Sequence, residues 1–263
     1  MTKKIVLITG TSKGLGKVLA LKLMKENLIV ISGVRDINKA PKGTFPVYID
    51  LTVEKSLEDA VQQIIQKFGK IDILIHNAGI AYVGPVDSMT LEESKQLFAV
   101  NFFGPFRLTQ LILPYMRKQN SGRIIFVSSV RAVDSGAYIG MYAASKAAIE
   151  AIAFDWAATL SKWNISVSVF QPGPINTGIK FHEGSYFQKN NPYPPLGSVS
   201  LDWQPVEEVC NVLVEQINKH SPNYKFQSNV TTKNIVQSHL KDPTGNKWLN
   251  DQKQWVEDVL VTD

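Results

Sequence analysis

Six short apolar runs punctuate this chain: "KIVLIT" (4–9), "LIVISG" (28–33), "PVYID" (46–50), "IDILIHN" (71–77), "RIIFVSS" (123–129) and "ISVSVF" (165–170). Between them lie longer stretches of helical periodicity at 15–26, 54–68, 91–118, 138–162 and 205–219. Strands that are apolar almost throughout have no polar face to offer water, so both faces of their sheet must be covered. Parallel neighbours need a long crossover, and a helix supplies one. The alternation therefore predicts an α/β fold, one domain built on a doubly wound parallel sheet. With 263 residues, 44% hydrophobic and 19% charged, the chain can bury a core of that size.

Two regions leave the alternation. Residues 173–203 are rich in Gly, Pro, Asn and aromatics with little periodicity, and a loop of that length in a compact domain is usually a lid or binding loop. From Ser221 the tail is polar, with a turn at "DPTGN" (242–246) and a short helix expected near 251–260.

Composition narrows the function classes. Lys and Arg number 28 against 23 acidic residues, a net charge of +5, but they are spread without the basic block that marks a nucleic-acid surface. The lone Cys210 excludes an intramolecular disulfide and suits a reducing compartment. The basic lead "MTKK" runs directly into a strand pattern without an apolar signal region, and no run of about 18 apolar residues offers a membrane span. A cytoplasmic protein is expected. His76, His182, His220 and His239 are scattered without paired ligand spacing, so no metal site is expected.

The stretch "VLITGTSKGLGK" (6–17) runs from the first strand through glycines into a helix. Glycines let the backbone turn sharply and approach a pyrophosphate, whose charge then meets the free N–H groups of the helix N-terminus. Gly10, Thr11, Ser12, Lys13, Gly14, Leu15 and Gly16 form the candidate cradle; the spacing is G-x3-G-x-G, neither the common G-x-G-x-x-G fingerprint nor a Walker A loop. At the end of the second strand an acidic residue would favour a free ribose 2′-hydroxyl and a cation a 2′-phosphate. Here Arg35 follows Val34, and Lys13 lies in the glycine turn, which favours NADP(H) with NAD(H) possible. Should Asp36 rather than Arg35 face the ribose, the preference reverses. Asp50 and Leu51, after the third strand, are candidates for the adenine edge; a turn or helix-start carboxylate is the competing reading of Asp50.

In "MYAASKAAIE" (141–150), Tyr142 and Lys146 stand four apart on an Ala-rich helix. Four residues advance about 6 Å and return to nearly the same face, so both can enter one site. An ammonium near a phenol favours phenolate and lowers its pKa. Thirteen residues earlier a strand ends at Ser129, the edge at which open α/β sheets hold ligands. Asn101 is a polar interruption of an apolar helical stretch, by itself readable as a satisfied buried amide.

Taken together, "TGTSKGLG", "HNAG" (76–79), Asn101, Ser129, "YAASK" (142–146) and "PGPINT" (172–177) resemble the short-chain dehydrogenase/reductase family in order and spacing, over about the first 180 residues. The resemblance implies a Rossmann-type fold and hydride transfer between nicotinamide and a carbonyl or alcohol carbon. It implies Tyr142 as acid/base, Lys146 as the group that lowers its pKa and holds the nicotinamide ribose, Ser129 as the group that orients the carbonyl, and Asn101 as the anchor of a water reaching Lys146. Asn77, Ala78 and Gly79 would line the cofactor channel, Pro172 and Gly173 would border it, and Thr177 would reach the carboxamide. The family forms dimers or tetramers through its long central helices, so a homodimer or homotetramer is expected.

Departures from the pattern are informative. His76 stands where an asparagine commonly opens the NNAG motif, and its imidazole is expected to serve as a hydrogen-bonding group at the strand end. The usual seventh strand followed by a glycine pair is not recognisable. Instead "NYKFQSN" (223–229), "KDPTGN" (241–246) and "VRDINK" (34–39) resemble the subgroup of 17β-hydroxysteroid dehydrogenase type 1 and the retinol dehydrogenases. Phe181, Tyr186, Phe187, Tyr193 and Trp203 fit either a pocket for a lipophilic ketone, aldehyde or alcohol or simple packing of the loop. A 3-oxoacyl thioester is the second substrate class. A reading of another class, a non-catalytic NADP(H)-binding regulator, has no need of all four polar residues.

Overall fold

A computed structural model describes residues 3–177 and 202–241, the backbone of 182–183, and single positions at 246, 250, 251 and 254. Strands β1 (Ile5–Thr9), β2 (Ile29–Val34), β3 (Phe45–Tyr48), β4 (Ile73–His76), β6 (Gly122–Val127), β7 (Ile165–Gln171) and β9 (Lys225–Gln227) form one parallel sheet in the order β3-β2-β1-β4-β6-β7-β9. Helices α1 (Gly14–Lys25), α2 (Glu54–Phe68), α3 (Leu91–Phe98), α4 (Gly104–Lys118), α5 (Gly140–Thr159), α6 (Val206–Asn218) and α7 (Val230–Leu240) complete it. A two-residue pair, β5 (Tyr82–Val83) with β8 (His182–Glu183), stands apart.

The doubly wound character is visible residue by residue. Successive side chains of a strand point to opposite faces. Ile5 and Leu7 of β1 enter a core with residues of α2, α4 and α5, whereas Val6 and Ile8 enter a second core with residues of α1 and α6. Leu74 against Ile73 and Ile75 in β4, and Phe126 against Ile125 in β6, repeat the division. The strand order reverses between β1 and β4, and at this switch point the C-terminal ends of neighbouring strands diverge to leave a crevice.

The seventh strand, not recognisable in the sequence, is present. Lys225–Gln227 pairs in parallel register with Val169–Gln171. Three residues carry little periodicity, and only their neighbour β7 defines them as a strand. Asn229 then starts α7 through a capping box with Thr232, which the polar composition of the tail concealed. The expected helix near 251–260 lies largely outside the described residues. So do Phe181, Tyr186, Phe187 and Tyr193; Trp203 is described and exposed.

The long periodic stretch 91–118 is one helical run with a π segment, Ala99–Phe103, between α3 and α4. The Gly104 N–H donates to Ala99 O, five residues back, so one extra residue is accommodated in that turn. Such bulges re-aim a side chain, and the one they surround here is Asn101.

Candidate active site

The cradle begins where β1 ends. Gly10 has φ 74°, and a Cβ there would lie 2.8 Å from Ala78 Cα. At Gly16 a Cβ would lie 2.5 Å from Gly10 O and would collide with Asn77 Nδ2, so only hydrogen fits between the turn and the end of β4. Asn77 fastens the two strand ends by donating from Nδ2 to Thr9 O (2.9 Å) and Gly10 O (3.1 Å), while Thr9 Oγ1 accepts from the N–H groups of Asn77 and Ala78. Lys13, the N-cap of α1, makes no side-chain cap bond, and the first helical turn carries no acidic residue. Its N–H groups therefore face the cradle without a capping oxygen from Lys13, as an anion site requires. Thr11 is fully buried, and its Oγ1 has no hydrogen-bond partner, an unmet polar atom inside the same turn. A dinucleotide pyrophosphate fits these features.

Other predicted cofactor residues divide. Ser12 is partly buried in the turn, whereas Leu15 turns its side chain into the core beside α6. Arg35 and Lys13 are exposed at the sheet edge, as a pair of phosphate-binding cations would be. Asp36 is committed elsewhere: it caps a short 3-10 turn through Asn38 N (3.1 Å) and pairs with Lys39 (3.3 Å). Asp50 Oδ1 accepts from Thr52 N and Oγ1 (2.9 and 2.7 Å), the turn-carboxylate reading, and Leu51 is buried against Gly104. Pro172 O accepts from Val130 N (3.0 Å), tying the turn after β7 to the turn after β6. Gly173 N is directed at Ser228 Oγ (3.4 Å), and Thr177 lies over Gly14, where a Cβ would come within 2.9 Å of it.

The chemical groups gather beside this cradle. Ser129 lies two residues beyond β6, caps the short turn Val130–Ala132, is buried, and hydrogen-bonds the Tyr142 phenol. Lys146 is buried; its Nζ lies 5.7 Å from the centre of the Tyr142 ring and donates to Val127 O (2.9 Å). Asn101 accepts from Ile80 N (3.0 Å) and donates to Ile80 O (2.9 Å) and Ser145 Oγ (3.0 Å). Gly79 separates the last two: a Cβ there would sit 3.3 Å from Asn101 Oδ1 and 3.4 Å from Lys146 Nζ. Ser145, which sequence reasoning missed, donates in turn to Tyr142 O (2.7 Å) and so couples the π segment to α5.

The electrostatics correct one expectation. Burial pushes the Tyr142 phenol above its ordinary pKa, and the counterweights are the Ser129 hydrogen bond and the positive charge of Arg131, another residue not anticipated. Lys146 is itself brought down to about 8 by burial, opposed by the charge of Glu150. Burial also raises Asp134 to about 6, against the pull of Arg131 and His239.

His76 is a hydrogen-bonding group at the end of β4, as expected, but its bond lies inside the core. It is buried on the core side of β4, stacked on Phe126 (ring centres 4.7 Å apart), with Nε2 2.8 Å from Thr109 Oγ1. Thr109 donates its own hydroxyl proton to Pro105 O (2.8 Å), so Nε2 carries the hydrogen. A side chain at the last residue of β4 alternates in direction with Asn77, so it faces the core while Asn77 faces the cradle.

A pocket adjoins the site, walled by Tyr82–Val86, Ser88, Met89 and Tyr138–Met141. Tyr82–Val83 pairs through its backbone with His182–Glu183, which places those two residues beside it. No helix among the described residues is long and apolar enough to cross a membrane.

Comparison with known proteins agrees with this geometry. The family model described as short chain dehydrogenase matches residues 4–185. Over 178 residues, 68% of this chain and 66% of the relative, the chain is 38% identical to a 3-ketodihydrosphingosine reductase of Bacteroides thetaiotaomicron. Retinol dehydrogenase 8 of Bos taurus is 27% identical across 94% of this chain and 88% of its own, a match that includes the C-terminal region. A short chain dehydrogenase of Burkholderia cenocepacia, solved with NADP, superposes with a TM-score of 0.76 at 24% identity over 94% of this chain and 98% of that one. The chain belongs to the short-chain dehydrogenase/reductase family of oxidoreductases.

Proposed function

We propose that the protein is an NADP(H)-dependent oxidoreductase acting on a lipophilic ketone, aldehyde or secondary alcohol. The observation that carries this reading is the meeting of Ser129, Tyr142, Lys146 and Asn101 beside a glycine cradle with an unmet polar atom. The cofactor, when bound, supplies or accepts the hydride. Gly10–Gly16 would hold its pyrophosphate against α1, with Lys13 and Arg35 holding the ribose 2′-phosphate. Asn77, Ala78, Gly79, Pro172, Gly173 and Thr177 border the path from the cradle to Tyr142.

The protein's own part is orientation and proton handling. Ser129 and Tyr142 hold the substrate oxygen between two hydroxyls, and the phenol gives up its proton as the carbonyl is reduced. Arg131 and the Ser129 hydrogen bond oppose burial in stabilising the phenolate that results, and Lys146 is its proton partner on the same face of α5. Asn101, held on both sides of Ile80 and on Ser145, keeps the neighbourhood of Lys146 polar. An apolar body next to the carbonyl is supported by the likeness to relatives named for 3-ketodihydrosphingosine and retinol. We read the protein as a cytoplasmic homodimer or homotetramer.

The test is a panel of carbonyls and alcohols followed by NADPH and NADH absorbance, with Tyr142→Phe and Arg35→Ala as variants. Turnover of a lipophilic member, a loss of 10²-fold or more in Tyr142→Phe with cofactor binding retained, and a kcat/KM preference for NADPH that Arg35→Ala diminishes are expected. Equal use of NADH by the wild type refutes the cofactor choice. Cofactor binding without turnover of any panel member supports the regulator instead.

A further inference from the structure

Two turns along α5 from Tyr142, and one from Lys146, lies Glu150, acidic in the otherwise apolar run "AAIEAIAF" and only 6% exposed. A carboxylate in such a place must be paired, and this one is met from three strands. Ser128 Oγ, at the end of β6, donates to Oε1 at 2.7 Å. Gln171 Nε2, the last residue of β7, donates to Oε1 and Oε2 at 2.9 and 3.0 Å, and Gln227 Nε2 of β9 holds the Gln171 amide oxygen at 2.8 Å. Lys225 Nζ of β9 lies 2.8 Å from Oε2. The Tyr224 hydroxyl donates to Glu150 backbone O at 3.2 Å. All three side-chain partners donate, so the position requires an acceptor-only group, which an ionised carboxylate is and an amide is not.

The strand ends gathered there are those that matter to the site. Ser128 is the neighbour of Ser129, Gln171 precedes Pro172–Gly173, and Val127, before Ser128, receives the Lys146 proton donor. The charged and titratable groups facing the Glu150 carboxylate are Lys146 on its own helix and Lys225 and Tyr224 from β9 and its approach; Lys225 is 41% exposed at its side chain, Glu150 only 7%.

We propose that Glu150, with Lys225 as its counter-charge, is a positioning residue that favours the charged form of Lys146, the partner of Tyr142, while pinning the strand ends that carry Ser129 and the Pro172–Gly173 turn. This rests on Tyr142 and Lys146 acting as the proton pair. The negative charge one turn away favours the Lys146 ammonium against its burial, and Lys225 moderates that effect. Removing the carboxylate and removing the cation must therefore move Lys146 in opposite directions, which loss of packing alone would not do.

The test needs no substrate. Lysine side-chain carbon NMR follows each ammonium with pH; Lys146, brought down to about 8 by burial, is expected to titrate apart from ordinary lysines near 10.5, with Lys146→Arg giving the assignment. Glu150→Gln is expected to lower the Lys146 midpoint by about one unit, and Lys225→Met to raise it by a smaller amount. The pH limits of turnover should move in the same two directions. Shifts of the same sign in both variants, or no shift in either, overturn the proposal. Should Glu150→Gln fail to fold, the partly exposed Lys225→Met decides alone: a rise supports the proposal and an unmoved midpoint overturns it. A wild type that turns over no carbonyl would defeat the proposed function, and the Lys146 titration would still decide this inference.

Discussion

Substituting His76 by Asn should make the protein less sensitive to acid, by an amount that follows from its burial. The imidazole is 3% exposed, its Nδ1 has no partner, and burial brings its pKa from 6.5 down to about 3. Below pH 6.5 the unfolded chain takes up a proton that the folded chain refuses until about pH 3. The stability due to this group is therefore intact above 6.5 and lost progressively as pH falls, at ~1.4 kcal/mol per unit. Between ~pH 7.5 and ~pH 5 the loss is about 2 kcal/mol, against total stabilities of ~5–15 kcal/mol. His76→Asn removes the titrating group. The cavity beside Phe126 costs stability at every pH, and so cancels when the same variant is compared at two pH values. Urea unfolding of both proteins at the two pH values measures the difference. The variant should lose about 2 kcal/mol less than the wild type on acidification. An equal loss in the two proteins would refute the buried neutral imidazole, and with it the assignment of the Nε2 hydrogen to Thr109.

Gly16→Ala should weaken NADPH binding about 10-fold or more while leaving the sheet folded, because the added methyl meets Gly10 O and Asn77 Nδ2 at the hinge of the cradle; fluorescence titration reads the affinity, and unchanged binding would count against the cradle. Phe154 on α5 and Phe103 just before α4 are 64% and 58% exposed, unusual for phenylalanine on two adjacent helices. Phe154→Glu or Phe103→Glu should lower the mass seen by light scattering at micromolar concentration, and a wild type that is already monomeric would dispose of the oligomer. Asn101→Ala should cut turnover at least 10-fold with a smaller effect on cofactor affinity, since it strips Ile80 and Ser145 of their shared partner; equal losses in both would make Asn101 a purely structural amide.

Much of this architecture was legible in the chain because it depends on short-range rules. Apolar runs of strand length alternating with helical periods require a covered parallel sheet, and the glycine turn, "YAASK" and Ser129 lie at strand and helix ends that those rules locate. Four-residue spacing is enough to place Tyr142 and Lys146 on one face of α5. The structure decided what spacing cannot encode, namely which groups lie close after the chain returns on itself. Lys225–Gln227 is a strand only because β7 offers it an edge. His76 faces the core because β4 is registered so that Asn77 reaches Thr9 and Gly10. The pKa of Tyr142 reflects burial opposed by Ser129 and Arg131, a balance of environments absent from any helical wheel. In the sequence Glu150 is one charge in an alanine-rich helix; the partners that give it meaning lie 21 or 22 residues away at Gln171 and Ser128 and on a strand near the C-terminus. Local pattern determines which elements form and which ends carry chemistry, while long-range contact decides which charges feel one another, because electrostatic interaction depends on distance in space and on burial.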